Sequence, residues 1–572
     1  MDATFRRALG TGYERLSAWA ELLDRINVFP VADGDTGRNL AVSLAPLRRT
    51  DLDPDALVDA LLLSARGNSG NIGARFLEGF LAGNGGNELR ERAERGRGLA
   101  WKAVARPKTG TMLSLFDVLA AALAESPVER GGAVIDGLLD RLERSVHETR
   151  GQLAELQRAG VVDAGALGMF LFFEGFFREL VGHPGELRDV AARFPDAVAF
   201  APPAAAADEH GFCVDAVLRT GKTSDAALAE LDGAGESVVA LRHGDFVKVH
   251  LHAGDQAELR RRLERLGDVV RWVVDDLGAQ AMEFARPVAA SAIHVMTDAA
   301  GSFTREDAHR LGVTLLDSYV SVGEACVPET RLPPEELYSA MRRDIPVSTS
   351  QASVFERCQH YDRVLRLYGR ALYLCVGSVY TGNHATALDW KREHDPENRL
   401  TVVDTGAASG RLGIAALAVA RRALAAHDPD EVIAFARRAV EASCEWIFLD
   451  RLTWLARGGR MSKTGAFFGD LFHVKPVVSP TREGAKKVAV VRDEPHQIAY
   501  ALARLRETLG AGGKGLVLLE HSDGRARLEE LVLPQVRREF PAAEVLVRPL
   551  SVTSGAHMGP GTWAVAALPE TP

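Results

Sequence analysis

Asp33-Gly34-Asp35, within Asn27-Val-Phe-Pro-Val-Ala-Asp-Gly-Asp-Thr-Gly-Arg-Asn39, sets two carboxylates one glycine apart. Magnesium takes hard oxygen ligands in tight octahedral geometry, typically one or two carboxylates plus substrate phosphates. A glycine between the acids lets the backbone turn sharply enough to aim both inward. Alone the triplet is more often a surface turn, but Val28, Phe29, Pro30 and Val31 are an apolar lead-in for an exposed one. Ala65-Arg-Gly-Asn-Ser-Gly70 enters a helical pattern with small residues that expose backbone N–H groups, as an anion site at a helix N-terminus requires. Gly160-Val-Val-Asp-Ala-Gly-Ala-Leu-Gly168 is a glycine-spaced loop with one acid, Asp163. Each segment by itself reads as a connection between helices; three in one helical stretch point to phosphate chemistry.

A second cluster follows. In a strand, side chains alternate with period two, so His250-Leu-His252 places two imidazoles on one face. Cys213 lies on an apolar strand pattern nearby in sequence. One thiol and two imidazoles are a plausible zinc set, although a purely structural histidine pair has the same spacing.

The elements that carry these residues change along the chain. Residues 1–198 read as nearly all helix, with apolar residues three and four apart in stretches such as LDPDALVDALLLSA. Residues 201–208, with two prolines among small residues, form the clearest linker. Residues 210–285 read as a small α+β unit: strands near 211–217, 237–242 and 246–252, then a Leu/Arg helix whose arginines make a solvated face. From 290 to 572, short apolar runs alternate with helical patterns, the signature of strands buried on both faces of a sheet with parallel connections. The chain is long enough for roughly three to four domains.

Composition narrows the function classes. A net charge of -9 gives no basic face for nucleic acid. Five scattered cysteines without CxxC spacing argue against a disulfide framework and for a reducing compartment. No run approaches the ~20 apolar residues of a membrane span. The expectation is a cytoplasmic protein without an integral membrane segment.

With NVFPVADGDTG, ARGNSG and GVVDAG in this order, residues 1–198 resemble the DhaL-type nucleotide domain of the dihydroxyacetone-kinase superfamily, closest to the branch found in bacterial fatty-acid kinases. The resemblance implies an all-α barrel of antiparallel helices that binds ATP and Mg2+ at one end. It implies metal roles for Asp33 and Asp35 and phosphate contacts from Thr36, Asn39, Asn68, Ser69 and Gly70, with Asp163 near the nucleotide. Where many such domains use a third acid, this chain offers Asn27. The middle unit resembles that of fatty-acid kinases, where an equivalent Cys and HxH pair binds zinc; for Cys213, His250 and His252 this implies a structural or dimer-stabilising Zn2+.

Residues 290–572 resemble the DegV family through VSTSQAS (347–353), LARGGRMS (455–462) and HMGPG (557–561), among other pieces. The resemblance implies a two-lobed α/β fold with one acyl chain between the lobes. A fatty carboxylate in an apolar slot needs donors to stay ionised; Thr349, Ser350, Ser378 and His557 supply them. Arg460, with a planar fork suited to phosphate, is the natural screening cation and catalytic partner of His557. Tyr380 and Asn383 depart from the family pattern and are expected to alter pocket shape or chain selectivity. Together these readings give a fused chain that phosphorylates a bound fatty acid to an acyl phosphate, for use by an acyltransferase, in a homodimer. A glycerone-type kinase, or a non-catalytic fatty-acid-binding protein with a degenerate kinase domain, is the alternative.

Overall fold

The computed structural model describes residues 1–82, 88–125, 132–183, 185–200, 211–220, 230–278, 291–451, 454–455, 475–510 and 512–570. It divides into two compact units, Met1–Pro287 and Val288–Pro572.

In the first unit, helices surround an aromatic core. Phe76 stacks on Phe116 with centroids 4.1 Å apart and meets Phe173 edge-on at 5.5 Å. One ion pair crosses this core: Arg15 and Glu174 lie 3.0 Å apart and are both buried. Burying such a pair is tolerable only when its remaining hydrogen-bonding capacity is met. Arg15 also donates to the Arg188 carbonyl at 2.7 Å, and the Arg188 amide donates to Glu174 at 2.7 Å.

The same unit contains an antiparallel sheet in the order β2-β3-β1-β4, built from β1 (Phe212–Arg219), β2 (Glu236–His243), β3 (Phe246–Ala253) and β4 (Asp268–Asp276). Period-two alternation divides its faces. Val214, Ala216, Leu218, Val247, Val249 and Leu251 pack with Leu259 and Leu263 of the helix Gln256–Glu264. That helix turns its arginines outward, Arg260 pairing with Glu264 at 3.1 Å. The opposite face carries Cys213, Asp215, Lys248, His250 and His252, all buried despite their polarity. Contacts with the helical part bury them.

Among the described residues, the second unit holds three sheets. β5 (His294–Asp298), β6 (Val313–Leu316), β10 (Ala371–Cys375) and β11 (Leu400–Asp404) form a parallel sheet in the order β11-β10-β5-β6. β5 and β10 are buried along their whole length, which is why they read as unbroken apolar runs. β7 (Tyr319–Val322), β8 (Ala325–Pro328) and β9 (Val347–Ser350) form a small antiparallel sheet. The largest sheet has six strands and departs from the parallel expectation. It is built from β12 (Cys444–Phe448), β13 (Lys475–Thr481), β14 (Gly484–Val491), β15 (Gly515–His521), β16 (Ala543–Pro549) and β17 (Trp563–Pro569). Only β15 and β16 run parallel; β13–β14 is a hairpin, and β17 inserts antiparallel between β12 and β15. A buried strand shows the same apolar run whichever way its neighbours point, so periodicity could not reveal this.

Asp298, at the end of β5, is buried and accepts from Arg357 at 2.7 Å, Tyr373 at 2.9 Å, the Val376 amide at 2.7 Å and Asn383 at 3.0 Å. Asn383 is therefore committed to the fold. Tyr380 is likewise held: its hydroxyl donates to the Thr481 carbonyl at 3.1 Å and accepts from the Thr481 amide at 3.0 Å. No helix among the described residues is long and apolar enough to cross a membrane.

Candidate functional site

The turn that carries the paired acids is held by its neighbours. Gly34 adopts φ +63°, a left-handed conformation that an L side chain resists, and this turns Asp33 and Asp35 toward one space. Asn27 Nδ2 donates to Asp33 Oδ1 at 2.5 Å, and Asn27 Oδ1 accepts from the Thr36 hydroxyl at 3.0 Å. Asn27 thus braces Asp33 against Thr36 with its nitrogen toward the acid. Thr36 opens the helix Thr36–Leu44, whose Asn39 amide donates to the Asp35 carbonyl at 2.8 Å. Ser69 donates to the Thr36 carbonyl at 3.4 Å, tying on the start of the helix Gly67–Leu81. Gly70 faces elsewhere: a Cβ there would lie 2.0 Å from the Ser43 hydroxyl, so this glycine allows two helices to approach and does not line the pocket.

The pocket at this point is lined by Asn27, Asp33, Asp35, Thr36, Asn68 and Ser69 on one side, and by His250 and His252 on the other. The two constellations that the sequence separates therefore face one space. Strand register explains the second wall: Cys213 pairs with His252 and Asp215 with His250 across β1 and β3. The ligand atoms of Cys213, His250 and His252 lie within 4.8 Å of one another. His250 Nδ1 stands 3.3 Å from Asp215, while its buried Nε2 has no hydrogen-bond partner. A thiol and two buried imidazoles are a donor set that suits zinc, the Cys213 sulfur lying 4.0 Å from His250 Nδ1, and a nearby carboxylate such as Asp215 is the outer partner such ligands use. The hard carboxylates of Asp33 and Asp35 suit magnesium.

Charges are strongly perturbed here. Burial, reinforced by Asp35, raises the Asp33 carboxyl well above the usual range. Burial raises the Cys213 thiol, with Asp215 and then Asp35 adding to it, and burial beside His250 lowers His252 to about 3. Arg38, next to the loop, loses some stability of its charge to burial, but Asp35, Asp24, Asp275 and Asp33 more than restore it. Sequence reasoning assigned Arg38 nothing; its position in DGDTGR was the available signal.

A larger cavity of about 390 Å³ shares Pro30, Thr36, Asn68 and Ser69 with this pocket and extends past Met112, Arg106, Lys108 and Asp163 to residues 235–238 of β2 and its approach. Asp163 caps the helix Ala164–Leu180, accepting from the Ala166 amide at 2.7 Å, and burial lifts it to about 7.

In the second unit, Thr349 on β9 and His557 on the helix Val552–Met558 meet, Oγ1 to Nε2, at 3.1 Å. Val320, Leu332, Leu337, Tyr338, Met341 and Val552 form the apolar layer beside them. Two expected donors do not join them. Ser350 follows Thr349 in the strand and is exposed on its other face. Ser378 is also exposed, its hydroxyl donating to Asp404 at 2.6 Å and its amide to the same carboxylate at 3.0 Å. Arg460 lies outside the described residues.

Comparison with known proteins defines the class. Residues 30–178 match the DAK2 domain, residues 209–284 the FakA-like middle domain named for fatty acid kinase, and residues 292–570 the family described as uncharacterised protein, DegV family. One chain thus joins a DAK2 domain, a fatty acid kinase-type middle domain and a DegV-family domain. It is 28% identical over 307 residues to Protein YloV of Bacillus subtilis, covering 48% of this chain and 55% of that protein. The uncharacterized protein SH1689 of Staphylococcus haemolyticus is 28% identical over 310 residues, with the same shares. The chain therefore spans about half the length of the curated relatives it matches. Among solved structures, a DegV family protein from Thermus thermophilus, described for fatty acid binding, is 25% identical with a TM-score of 0.44, covering 48% of this chain and 99% of that one. DegV of Bacillus subtilis, described as a fatty acid binding protein, is 19% identical with a TM-score of 0.45, covering 49% and 100%.

Proposed function

We propose that this chain transfers the γ-phosphoryl group of ATP to the carboxylate of a fatty acid held by its DegV-family unit, giving an acyl phosphate. The observation that carries this reading is the convergence of Asn27, Asp33, Asp35, Thr36, Asn68 and Ser69 on one pocket that adjoins a cavity of about 390 Å³. Asp33 and Asp35 would hold Mg2+, which when bound neutralises charge on the phosphates. Cys213, His250 and His252 would hold Zn2+ in the opposite wall. The small residues at the start of the helix Gly67–Leu81 offer amides to phosphate oxygens. Arg38, with Arg106 and Lys108 of the larger cavity, adds positive charge against the repulsion between two anions.

A carboxylate is already ionised at neutral pH, so the acceptor needs no general base. It needs to be held, and the Thr349–His557 pair beside an apolar layer supplies donors of the right kind. The fatty acid kinase name of the middle-domain family supports a fatty acid over a sugar-like hydroxyl as acceptor. An acyl phosphate is an activated acyl donor, suited to consumption by an acyltransferase.

The test is incubation of the purified chain with ATP, Mg2+ and oleate, with hydroxylamine present as trap. Formation of oleoyl hydroxamate that depends on both ATP and Mg2+ is expected. No hydroxamate from the wild-type chain would reject the proposal.

A further inference from the structure

The polar face of the β1–β4 sheet reaches beyond Cys213, His250 and His252, onto the main chain where the helix Gly67–Leu81 begins. Arg271 donates to the Leu63 carbonyl at 3.0 Å, and Lys248 donates to the Ala65 carbonyl. Asp215 accepts the Gly67 amide at 3.0 Å and Asn71 Nδ2 at 3.2 Å, while Asn71 Nδ2 also donates to the Gly67 carbonyl at 2.7 Å. Side chains from three strands of one sheet thus bond the main chain between the end of the helix Pro54–Ser64 and the start of the helix Gly67–Leu81.

The turn needs gripping. Gly67 sits at φ +61°, where a side chain would strike Asn39, and the first amides of a helix have no partner within it. Asp215 satisfies one of those amides and leaves the next two residues, Asn68 and Ser69, at the pocket. Lys248 is buried with its amine on the Ala65 carbonyl, and a buried polar group needs such a partner. A lysine whose task was solubility would stand outside.

We propose that Asp215 and Lys248 are positioning residues for the nucleotide: they fix the peptide planes of residues 65–67, so that Asn68, Ser69 and the helix amides are already aimed at phosphate. This rests on the ATP reading above. Asp215 Oδ1 also faces His250 Nδ1 at 3.3 Å, so one carboxylate orients both a candidate zinc ligand and the phosphate turn. Such sharing makes the two sites energetically coupled, and the coupling is reciprocal.

The test compares full-length wild type with Lys248→Met and Asp215→Asn. Four readouts are taken: affinity for a fluorescent ATP analogue with Mg2+, backbone amide exchange, zinc content and unfolding temperature. Loss of this buried hydrogen bond is expected to weaken nucleotide binding about ten-fold in Lys248→Met. Exchange should quicken at residues 65–71 while zinc content holds. Asp215→Asn should weaken nucleotide binding and zinc retention together. Unchanged affinity and unchanged exchange in both variants would overturn the proposal. So would faster exchange spread evenly over the β1–β4 sheet, because the contacts would then be a general interface. A wild-type chain that binds no nucleotide would defeat the ATP reading instead, and the exchange comparison on the nucleotide-free chain would still decide whether the clamp exists.

Discussion

Asp33 and Asp35 are buried side by side, and without a cation Asp33 is driven toward its protonated form. A divalent ion removes that conflict, because its charge favours both carboxylates at once. Asp35→Ala should therefore lower acyl phosphate formation by at least about 100-fold, the scale on which charge-stabilising groups act, and extra Mg2+ should not restore it. Hydroxamate assays across a Mg2+ titration check this; activity surviving the substitution would reject the metal assignment. The lipid site offers a sharper contrast. His557 bonds Thr349, whereas Ser350 points away from it, so His557→Ala should weaken oleate binding about ten-fold and Ser350→Ala should leave it unchanged. Fluorescent fatty-acid displacement measures both.

At the scale of elements, much of the fold was legible because its periods are strong. The strands at 237–242 and 246–252 appear as β2 and β3, and the arginine-rich helix faces water. Asp33-Gly-Asp35 could be read as a pair because its spacing is local. That His250 and His252 share its pocket could not, since it depends on docking a sheet against helices: the Gly67–Asp215 contact alone spans 148 residues. Where Ser350 and Ser378 point is hidden for a related reason, as hydroxyls look alike in sequence until strand parity and Asp404 decide it. One element-level device was missed altogether. Buried Glu329 accepts the Thr553 amide at 3.1 Å and the Ser318 amide at 3.3 Å, anchoring the helix Val552–Met558 that presents His557. Burial, with Asp317 adding repulsion, raises Glu329 from 4.5 to about 7. A carboxyl whose folded pKa is raised contributes stability below its unfolded value and loses it as pH climbs through the folded one. Unfolding temperature should accordingly decline between about pH 4.5 and pH 7. Glu329→Gln, which keeps an acceptor for Thr553 and cannot ionise, should flatten that decline. Calorimetry of both proteins at pH 5 and pH 8 tests the slope; equal slopes would show that Glu329 does not set it.

At the scale of the whole molecule, the proposed reaction requires a γ-phosphate and an acyl carboxylate to meet, and one chain carries the candidate binder of each. Covalent connection replaces a bimolecular encounter with an effective concentration that reaches the millimolar range for short flexible connections. Two chains expose the size of that advantage, one lacking a metal-binding acid and one weakened for oleate, assayed at oleate dilute enough that the second alone stays largely unloaded. Asp35→Ala retains Thr349 and His557, while His557→Ala retains the pocket built on Asp33 and Asp35. Mixed at micromolar concentration, the two should form acyl phosphate far more slowly than the same amount of wild type, and the mixture's rate per chain should rise with concentration while the wild-type rate per chain stays constant. Hydroxamate yield across a dilution series of both samples measures this directly. A mixture that matches wild type at every dilution would mean that phosphoryl transfer passes freely between chains, and that joining the two units serves some end other than bringing the two anions together.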